Sequence, residues 1–193
     1  TPFYMCWDES AFDILVRFDL EKRPYITLSR ACDSKYGEGH PKLWPLEYYR
    51  ELVQRLRERF PDFVLVQLGA DRNFPSVEAD LDLRGETSLE ETKCLLKYAS
   101  LHIDVEGGLV HLRHALQGRS LVLFGPTSPE VFGYRENVNL RSCGCPQPCE
   151  WVIPHWTDAC LLGTHACMTE LMPDEVFAQA EDILKKISHR SVA

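Results

Sequence analysis

The chain has 193 residues, of which 45% are hydrophobic and 26% are charged, as is usual for a soluble globular protein with a sizeable core. Its 21 lysines and arginines stand against 29 aspartates and glutamates, a formal net charge of −8, so no basic surface for nucleic acid is expected. No run of about 18 apolar residues is present, and the first residues lack the order of a signal peptide. We therefore expect a cytoplasmic domain without integral membrane contact, at most peripheral at the inner membrane.

Strand-like segments follow a short N-terminal stretch. Residues 1–24 alternate apolar and charged side chains without a sustained period, which predicts an interdomain connector. Beyond it, residues 25–193 read as a single α/β domain that includes a cysteine-rich loop at 143–167. Short buried strands are expected at residues 25–29, 63–68, 81–83, 101–104 and 120–124.

Helical patterns alternate with these strands. Pro45 opens an amphipathic segment, since proline is tolerated at the start of a helix. Ser88 and Glu91 have the spacing of a capping box, so a helix is expected from there to about Tyr98. One further helix is expected after Gly108, ending at Leu116, and another at residues 176–187. Alternation of this kind with short links predicts a doubly wound, Rossmann-like parallel sheet.

Two glycine-containing turns follow strands of this sheet. Glu106-Gly107-Gly108 precedes a helix, whose free N–H groups and positive dipole end suit a pyrophosphate. Gly125-Pro126-Thr127 follows the next strand and adds a hydroxyl and backbone donors. Because ligands bind beyond the carboxyl ends of parallel strands, both turns are candidate binding elements, although each also fits an ordinary strand–helix turn.

Four segments, taken in order, resemble the C-terminal domain of the ADP-heptose transferases, which form glycosyltransferase family nine. They are residues 42–45, 83–89, 106–112 and 123–129. The resemblance implies one half of a two-domain GT-B enzyme that transfers a heptose from an ADP-sugar donor, with inversion and without a required metal. The other domain would carry the acceptor site and the catalytic carboxylate, so this chain alone would be inactive. The acceptor implied is lipopolysaccharide core, with a protein as the alternative.

The resemblance also implies roles for individual residues. Gly107 and Gly108 would face the diphosphate, and Thr127 would add a hydroxyl beside it. Lys42 would neutralise diphosphate charge or contact the sugar. Glu106 stands where relatives often have aspartate, so its hydrogen bonds to sugar hydroxyls would be displaced by one methylene. His114 stands where a small alanine is common.

Several other residues carry weaker signals for the donor site. Ser29 and Arg30 end the first strand at the ligand edge, where the guanidinium could pair with phosphate. His111 either fixes the glycine loop or touches phosphate, and Gly125 belongs to the second turn. Asp71 fits a turn residue better than a ribose ligand. Trp44 fits packing at the start of the first long helix.

Five of the eight cysteines lie between Cys143 and Cys167. Four thiolates are the usual ligands of a structural zinc or iron site, and three prolines in this loop disfavour a helix that would otherwise order it. The preferred ligand set is Cys145, Cys149, Cys160 and Cys167. Cys143, His155 and His165 are alternates, and reduced thiols or disulfides are the competing interpretations. Such a metal could also order a surface for homo-oligomerisation.

Two alternative functions stay open. The donor could be a UDP- or GDP-sugar, since the sequence does not reveal the nucleobase pocket. The chain could also be a non-catalytic interaction module stabilised by a metal, with a vestigial sugar site.

Overall fold

A six-stranded, all-parallel sheet forms the centre of the computed structural model, which describes residues 6, 8–30, 40–150, 152, 154–158, 160 and 162–190. The strand order is β3-β2-β1-β4-β5-β6. The strands are β1 Tyr25–Leu28, β2 Val64–Gln67, β3 Leu81–Asp82, β4 Leu101–Val105, β5 Ser120–Leu123 and β6 Val138–Leu140. The order reverses between β1 and β4, and at such a switch point the strand ends leave a crevice.

Helices cover both faces of the sheet, which confirms the predicted doubly wound architecture. They are α1 Asp13–Arg17, α2 Leu46–Arg59, α3 Leu89–Tyr98, α4 Gly108–Ala115, α5 Pro129–Phe132, α6 Ala166–Thr169 and α7 Pro173–Arg190, and a 3₁₀ helix, Glu9–Phe12, precedes α1. One apolar cluster joins α2 and α7 to the sheet, and a second joins α1 and α3 to the opposite face. All four residues of β1, β2 and β5 and all five of β4 are buried, as expected of strands covered on both sides.

Local sequence signals place the ends of several elements. Ser88 and Glu91 form the predicted capping box at the start of α3, with the Ser88 side chain accepting from Glu91 N and the Glu91 side chain accepting from Ser88 N. Pro45 is the N-cap of α2, one position before the helix begins. The helix buries Tyr49, Leu52 and neighbouring apolar residues on the single face that its periodicity predicts.

The described part of residues 1–24 folds onto the domain. Ala11, Ile14, Leu15 and Leu20 are buried in the apolar cluster that contains α3. Residues 1–5 and 7 of the expected connector lie outside the described residues. The short helices there have fewer than two turns, which explains why no periodicity reveals them in the sequence. A connecting role for this segment stays a prediction.

Strand β6 has no counterpart in the expected elements. It pairs with β5 through Val138, Asn139 and Leu140, and all three residues are only half-buried. A three-residue edge strand with an asparagine at its centre has too little apolar patterning to be found from sequence. Within the described residues, no helix is long and apolar enough to cross a membrane.

Candidate functional site

A cavity of about 570 Å³ opens at the carboxyl ends of β1, β2 and β4. It lies at the switch point of the sheet, where doubly wound folds bind ligands. Five of the predicted donor-site residues line it, namely Ser29, Lys42, Glu106, Gly107 and Gly108. Predicted residues from the ends of β1 and β4 and from the loop before α2 therefore lie around one cavity, together with Gly69 and Ala70 after β2, and their role in binding a donor stays a prediction.

The turn between β4 and α4 leaves backbone donors exposed to this cavity. Gly107 is the N-cap of α4, and its extended backbone provides no side-chain cap for the first turn. A Cβ added at Gly108 would meet no atom within 4 Å, and one at Gly107 would meet only Val105 O at 3.8 Å. The protein's own packing therefore requires neither glycine. Their effect is to leave open space next to the uncapped N–H groups at the positive end of the helix dipole.

Glu106 and Lys42 form an ion pair at the wall of the cavity. Lys42 Nζ contacts Glu106 Oε2 and also donates to the Glu106 carbonyl oxygen at 3.4 Å. On the other carboxylate oxygen, Oε1 lies 3.4 Å from His111 Nε2. Burial alone would raise the pKa of Glu106, but His111 and Lys42 together lower that pKa to about 2. The carboxylate is therefore charged at any physiological pH, and both of its oxygens are held in place.

Thr127 lies on the second glycine turn, close to the same carboxylate. Its hydroxyl helps to lower the pKa of Glu106. The contact falls short of hydrogen-bond geometry, however, and Thr127 Oγ1 is buried without a hydrogen-bond partner in the described part of the chain. Thr127 is not among the residues that line the cavity, so its predicted role beside a diphosphate stays a prediction.

Asp104 is a lining residue that the sequence analysis does not identify. It is the penultimate residue of β4 and lies next to Ser29, and only 2% of its surface is exposed. Burial raises the pKa of Asp104, while His102, whose Nε2 lies 3.4 Å from Asp104 Oδ2, counteracts the increase. Thr27 Oγ1 in turn lies 3.0 Å from His102 Nδ1. A carboxylate as the last polar residue of a buried strand is the sequence signal that points to such a position.

The remaining predicted residues have structural contacts. Arg30 is buried, and its Nε donates to the Trp44 carbonyl oxygen at 3.1 Å, so its guanidinium is not among the groups that line the cavity. Gly125 packs against Met168, whose Sδ would lie 2.7 Å from an added Cβ. Asp71 Oδ1 accepts from Asn73 N, as expected of a turn residue. Trp44 is fully buried and its Nε1 donates to Leu171 O, which confirms the packing interpretation.

Aromatic groups from distant segments border the site. Trp156 from the cysteine-rich loop lines the cavity, and its ring centroid lies 5.6 Å from Lys42 Nζ. His40 lines the cavity as well, with its ring 6.2 Å from that of Trp156. Neither residue carries a local sequence signal, because the fold alone brings residues 40 and 156 together.

The four preferred metal-ligand cysteines line a second cavity, of about 230 Å³. They are Cys145, Cys149, Cys160 and Cys167, whereas Cys143 and the alternates His155 and His165 are not among its lining residues. The thiols nevertheless do not converge: no group of three or more histidine, cysteine or acidic side chains within the described ranges is arranged to hold a metal ion. The metal and its ligand set therefore stay a proposal.

The surroundings of Cys160 and Cys167 shift the pKa values of these two thiols in opposite directions. Burial raises the pKa of Cys167 to about 11, and the neighbouring Cys145 and Cys149 add to the increase. For Cys160, burial also acts to raise the pKa, but backbone N–H groups of residues 162–165 lower it below its usual value. A turn whose amides point at one sulfur stabilises a thiolate, which is the form that binds metals.

This sheet order, with a cavity at the switch point, defines a Rossmann-like α/β domain. The chain belongs to glycosyltransferase family 9 (heptosyltransferase), whose family description matches residues 7–150. The match confirms the resemblance carried by the glycine turns and the segments around them.

Known proteins agree with this assignment. Lipooligosaccharide heptosyltransferase 2 of Campylobacter jejuni is 26% identical over 104 residues, which make up 54% of this chain and 32% of that protein. The structure of E. coli ADP-heptose LPS heptosyltransferase II matches with a TM-score of 0.71 and 19% identity, over 96% of this chain and 54% of that one.

A third relative carries a metal. The dodecameric iron-containing heptosyltransferase TibC, solved in complex with ADP-D-beta-D-heptose and originating from enterotoxigenic E. coli H10407, matches with a TM-score of 0.68 and 17% identity, over 89% of this chain and 46% of that one. At these identities the structural matches establish the fold alone. The chain covers about half the length of the two solved relatives, as expected for one domain of a GT-B enzyme, and the 104 aligned residues cover about a third of the curated relative.

Proposed function

We propose that this chain is the donor-binding half of an inverting glycosyltransferase that uses ADP-heptose. The heptose would pass to lipopolysaccharide core or to a protein acceptor held by a second domain. Membership of the heptosyltransferase family supports this assignment, as does a relative of the same fold that was solved in complex with ADP-D-beta-D-heptose.

The observation that carries the proposal is the open, uncapped start of α4 facing the cavity. The first N–H groups of a helix attract anions, and here no side chain occupies them. Gly107 and Gly108 leave room for phosphate oxygens to approach the backbone. Lys42 Nζ adds a positive charge on the same cavity wall. A diphosphate is the ligand that this combination suits best.

Transfer of the sugar leaves a nucleoside diphosphate with additional negative charge. Lys42 and the N-terminus of α4 would stabilise that charge as it develops, because both are fixed before the reaction begins. Thr127 Oγ1, buried without a partner in the described chain, would donate to a nearby phosphate oxygen. In this account the chain contributes leaving-group stabilisation and donor orientation.

The general base would come from outside this set of residues. Glu106 has a pKa of about 2 and is held by Lys42 and His111, so it is a weak proton acceptor at neutral pH. Its carboxylate suits a different role, that of accepting hydrogen bonds from sugar hydroxyls. This division is what the family resemblance implies, with the catalytic carboxylate in the other domain.

Calorimetric titration of the purified chain with ADP, UDP and GDP tests the donor assignment. We expect saturable binding that favours ADP and that is lost in Gly108→Asp. This variant places an acid in the first helical turn, where it favours the helix and meets no atom within 4 Å, so it should fold. Its carboxylate would occupy and repel the phosphate site.

Gln54→Glu is the matched control, since it adds the same charge to an exposed position of α2. It should bind ADP as the unmodified chain does. A preference for UDP or GDP would contradict ADP-sugar as the donor. Equal ADP binding by Gly108→Asp and the unmodified chain would contradict the location of the diphosphate. If no nucleotide binds, the interaction-module alternative replaces the proposal.

We also propose a structural zinc or iron ion bound by Cys145, Cys149, Cys160 and Cys167. Four thiols lining one cavity, one of them within a turn of backbone N–H groups, provide a suitable ligand chemistry. The metal would take no part in transfer. It would connect residues 145–149 to residues 160–167 and thereby order the loop that places Trp156 beside Lys42.

A further inference from the structure

A chain of side-chain contacts leads from the Glu106 carboxylate away from the cavity. His111 Nε2 lies 3.4 Å from Glu106 Oε1, and His111 Nδ1 lies 2.9 Å from the hydroxyl oxygen of Tyr134. Tyr134 belongs to the segment between α5 and β6, so it reaches His111 from a different part of the chain. Both nitrogens of one imidazole are therefore occupied, one by an acid and one by a phenol.

The chemistry of these partners determines where the proton of a neutral imidazole lies. A carboxylate can only accept hydrogen bonds, so His111 Nε2 must carry a hydrogen for its contact with Glu106 to be attractive. The other nitrogen, Nδ1, is then an acceptor, and the Tyr134 hydroxyl is its donor. With the opposite tautomer, a nitrogen lone pair would face the carboxylate. The Tyr134 hydroxyl therefore selects the tautomer that binds Glu106.

A second histidine holds the tyrosine ring in place. His114 lies one helical turn after His111 on α4, and its ring stacks on Tyr134 with centroids 3.5 Å apart and planes at 11°. The Tyr134 ring meets His111 nearly edge-on, at 83°. Because the ring is held by stacking, the direction of its hydroxyl is fixed. This contact gives a physical reason for a histidine at position 114.

We propose that Tyr134 is a positioning residue of the donor site, whose hydroxyl fixes His111 as the Nε2–H tautomer so that His111 orients the Glu106 carboxylate toward a hydroxyl of the bound sugar. The part concerning the sugar rests on the proposed function, whereas the tautomer does not. A carboxylate repels phosphate, so the part of a nucleotide-sugar that Glu106 recognises is a hydroxyl group. Each carboxylate oxygen can accept more than one hydrogen bond, so Glu106 can bind a hydroxyl while Lys42 and His111 stay in contact.

Nitrogen NMR of the histidine side chains tests the tautomer directly. In the unmodified chain we expect the His111 shifts of an Nε2–H imidazole. Tyr134→Phe retains the ring that stacks on His114 and removes only the hydroxyl, so it should shift His111 toward a mixture of tautomers. Tyr98→Phe, which removes a hydroxyl at an exposed position at the end of α3, should leave the His111 shifts unchanged.

The same variant is then titrated with ADP and with ADP-heptose. Loss of the hydrogen bond between Tyr134 and His111, which positions His111 against Glu106, should weaken ADP-heptose binding about three- to tenfold, while ADP binding stays the same. A merely structural role of Tyr134 would weaken both ligands equally. Unchanged His111 shifts in Tyr134→Phe, or an unchanged ratio of the two affinities, overturns the proposal.

Failure of the proposed function gives a different pattern. If the unmodified chain binds neither ligand, the donor assignment fails, while the NMR comparison still decides whether Tyr134 controls His111. Should Tyr134→Phe not fold, His114→Ala tests the same contacts by removing the stacked ring, and His114→Phe should restore the Nε2–H tautomer. A tautomer unaffected by His114→Ala would then count against the proposal.

Discussion

Glu106 and Lys42 place opposite charges side by side where solvent has little access. The Glu106 side chain is 6% exposed and that of Lys42 is 18% exposed. Removing one partner from such a pair leaves a buried charge without compensation, which is usually more harmful than losing a surface ion pair. The pair therefore contributes to stability as well as to the shape and charge of the cavity.

The stability of the fold at acid pH tests the ion pair between Glu106 and Lys42. Because the pKa of Glu106 is about 2 in the folded chain and 4.5 is its ordinary value, the carboxylate stabilises the fold above pH 4.5 and loses this effect as pH falls toward 2. The full contribution is on the order of 3 kcal/mol, as an upper bound. Glu106→Gln should therefore be clearly less stable than the unmodified chain at pH 7. By pH 3 more than half of the difference should be gone.

Urea unfolding at pH 7 and at pH 3 measures the difference in the free energy of unfolding between Glu106→Gln and the unmodified chain. Glu86→Gln is the control, since that glutamate pairs with Arg72 at an exposed position where both side chains are about half accessible. Its effect should be small at both pH values. A Glu106→Gln difference that is as large at pH 3 as at pH 7 would contradict the lowered pKa.

Elements with their own sequence signals were predictable. The capping box at Ser88 and the amphipathic pattern after Pro45 place α3 and α2 correctly, because caps and periodicity are local. Strand β6 and helix α1 were not predictable, since each is too short to show a period and is stabilised by contacts distant in sequence.

The same limit applies to the site. Gly107 and Gly108 follow from a strand–turn–helix pattern, whereas Trp156 reaches the cavity only through the fold of the cysteine-rich loop.

Metal binding by the cysteine-rich loop can be tested directly. Under reducing conditions, the chain supplied with zinc or iron should bind about one ion per molecule, and removal of the ion should lower the midpoint of thermal unfolding by several degrees. The expected ligands are the four cysteines that line the smaller cavity.

Cysteine variants distinguish the cysteines that bind the metal from those that do not. Cys149→Ser should reduce the bound metal to a small fraction, as measured by elemental analysis. Cys143→Ser is the matched control, because Cys143 is exposed and is not among the residues lining that cavity, and it should retain the ion. Full metal retention in Cys149→Ser, or no binding by the unmodified chain, would contradict the proposed site.

At the scale of the whole molecule, the strand order determines where the site lies. The reversal between β1 and β4 opens the sheet at its carboxyl edge, and the loops after β1, β2 and β4 supply the cavity walls. The chain matches about half of each solved relative, and under the proposed function a second domain would face this cavity. Alternation of strands and helices predicted this architecture from sequence, because it is a pattern that the whole chain shows.

The most direct test of the central claim is to map ADP binding onto the backbone amides by proton–nitrogen NMR. The account predicts saturable shifts that are largest at Gly107, Gly108 and Leu109, where the first amides of α4 meet the cavity. ADP binding that leaves these three amides unshifted, or that shifts a different part of the molecule, would contradict the assignment of this turn as the diphosphate site.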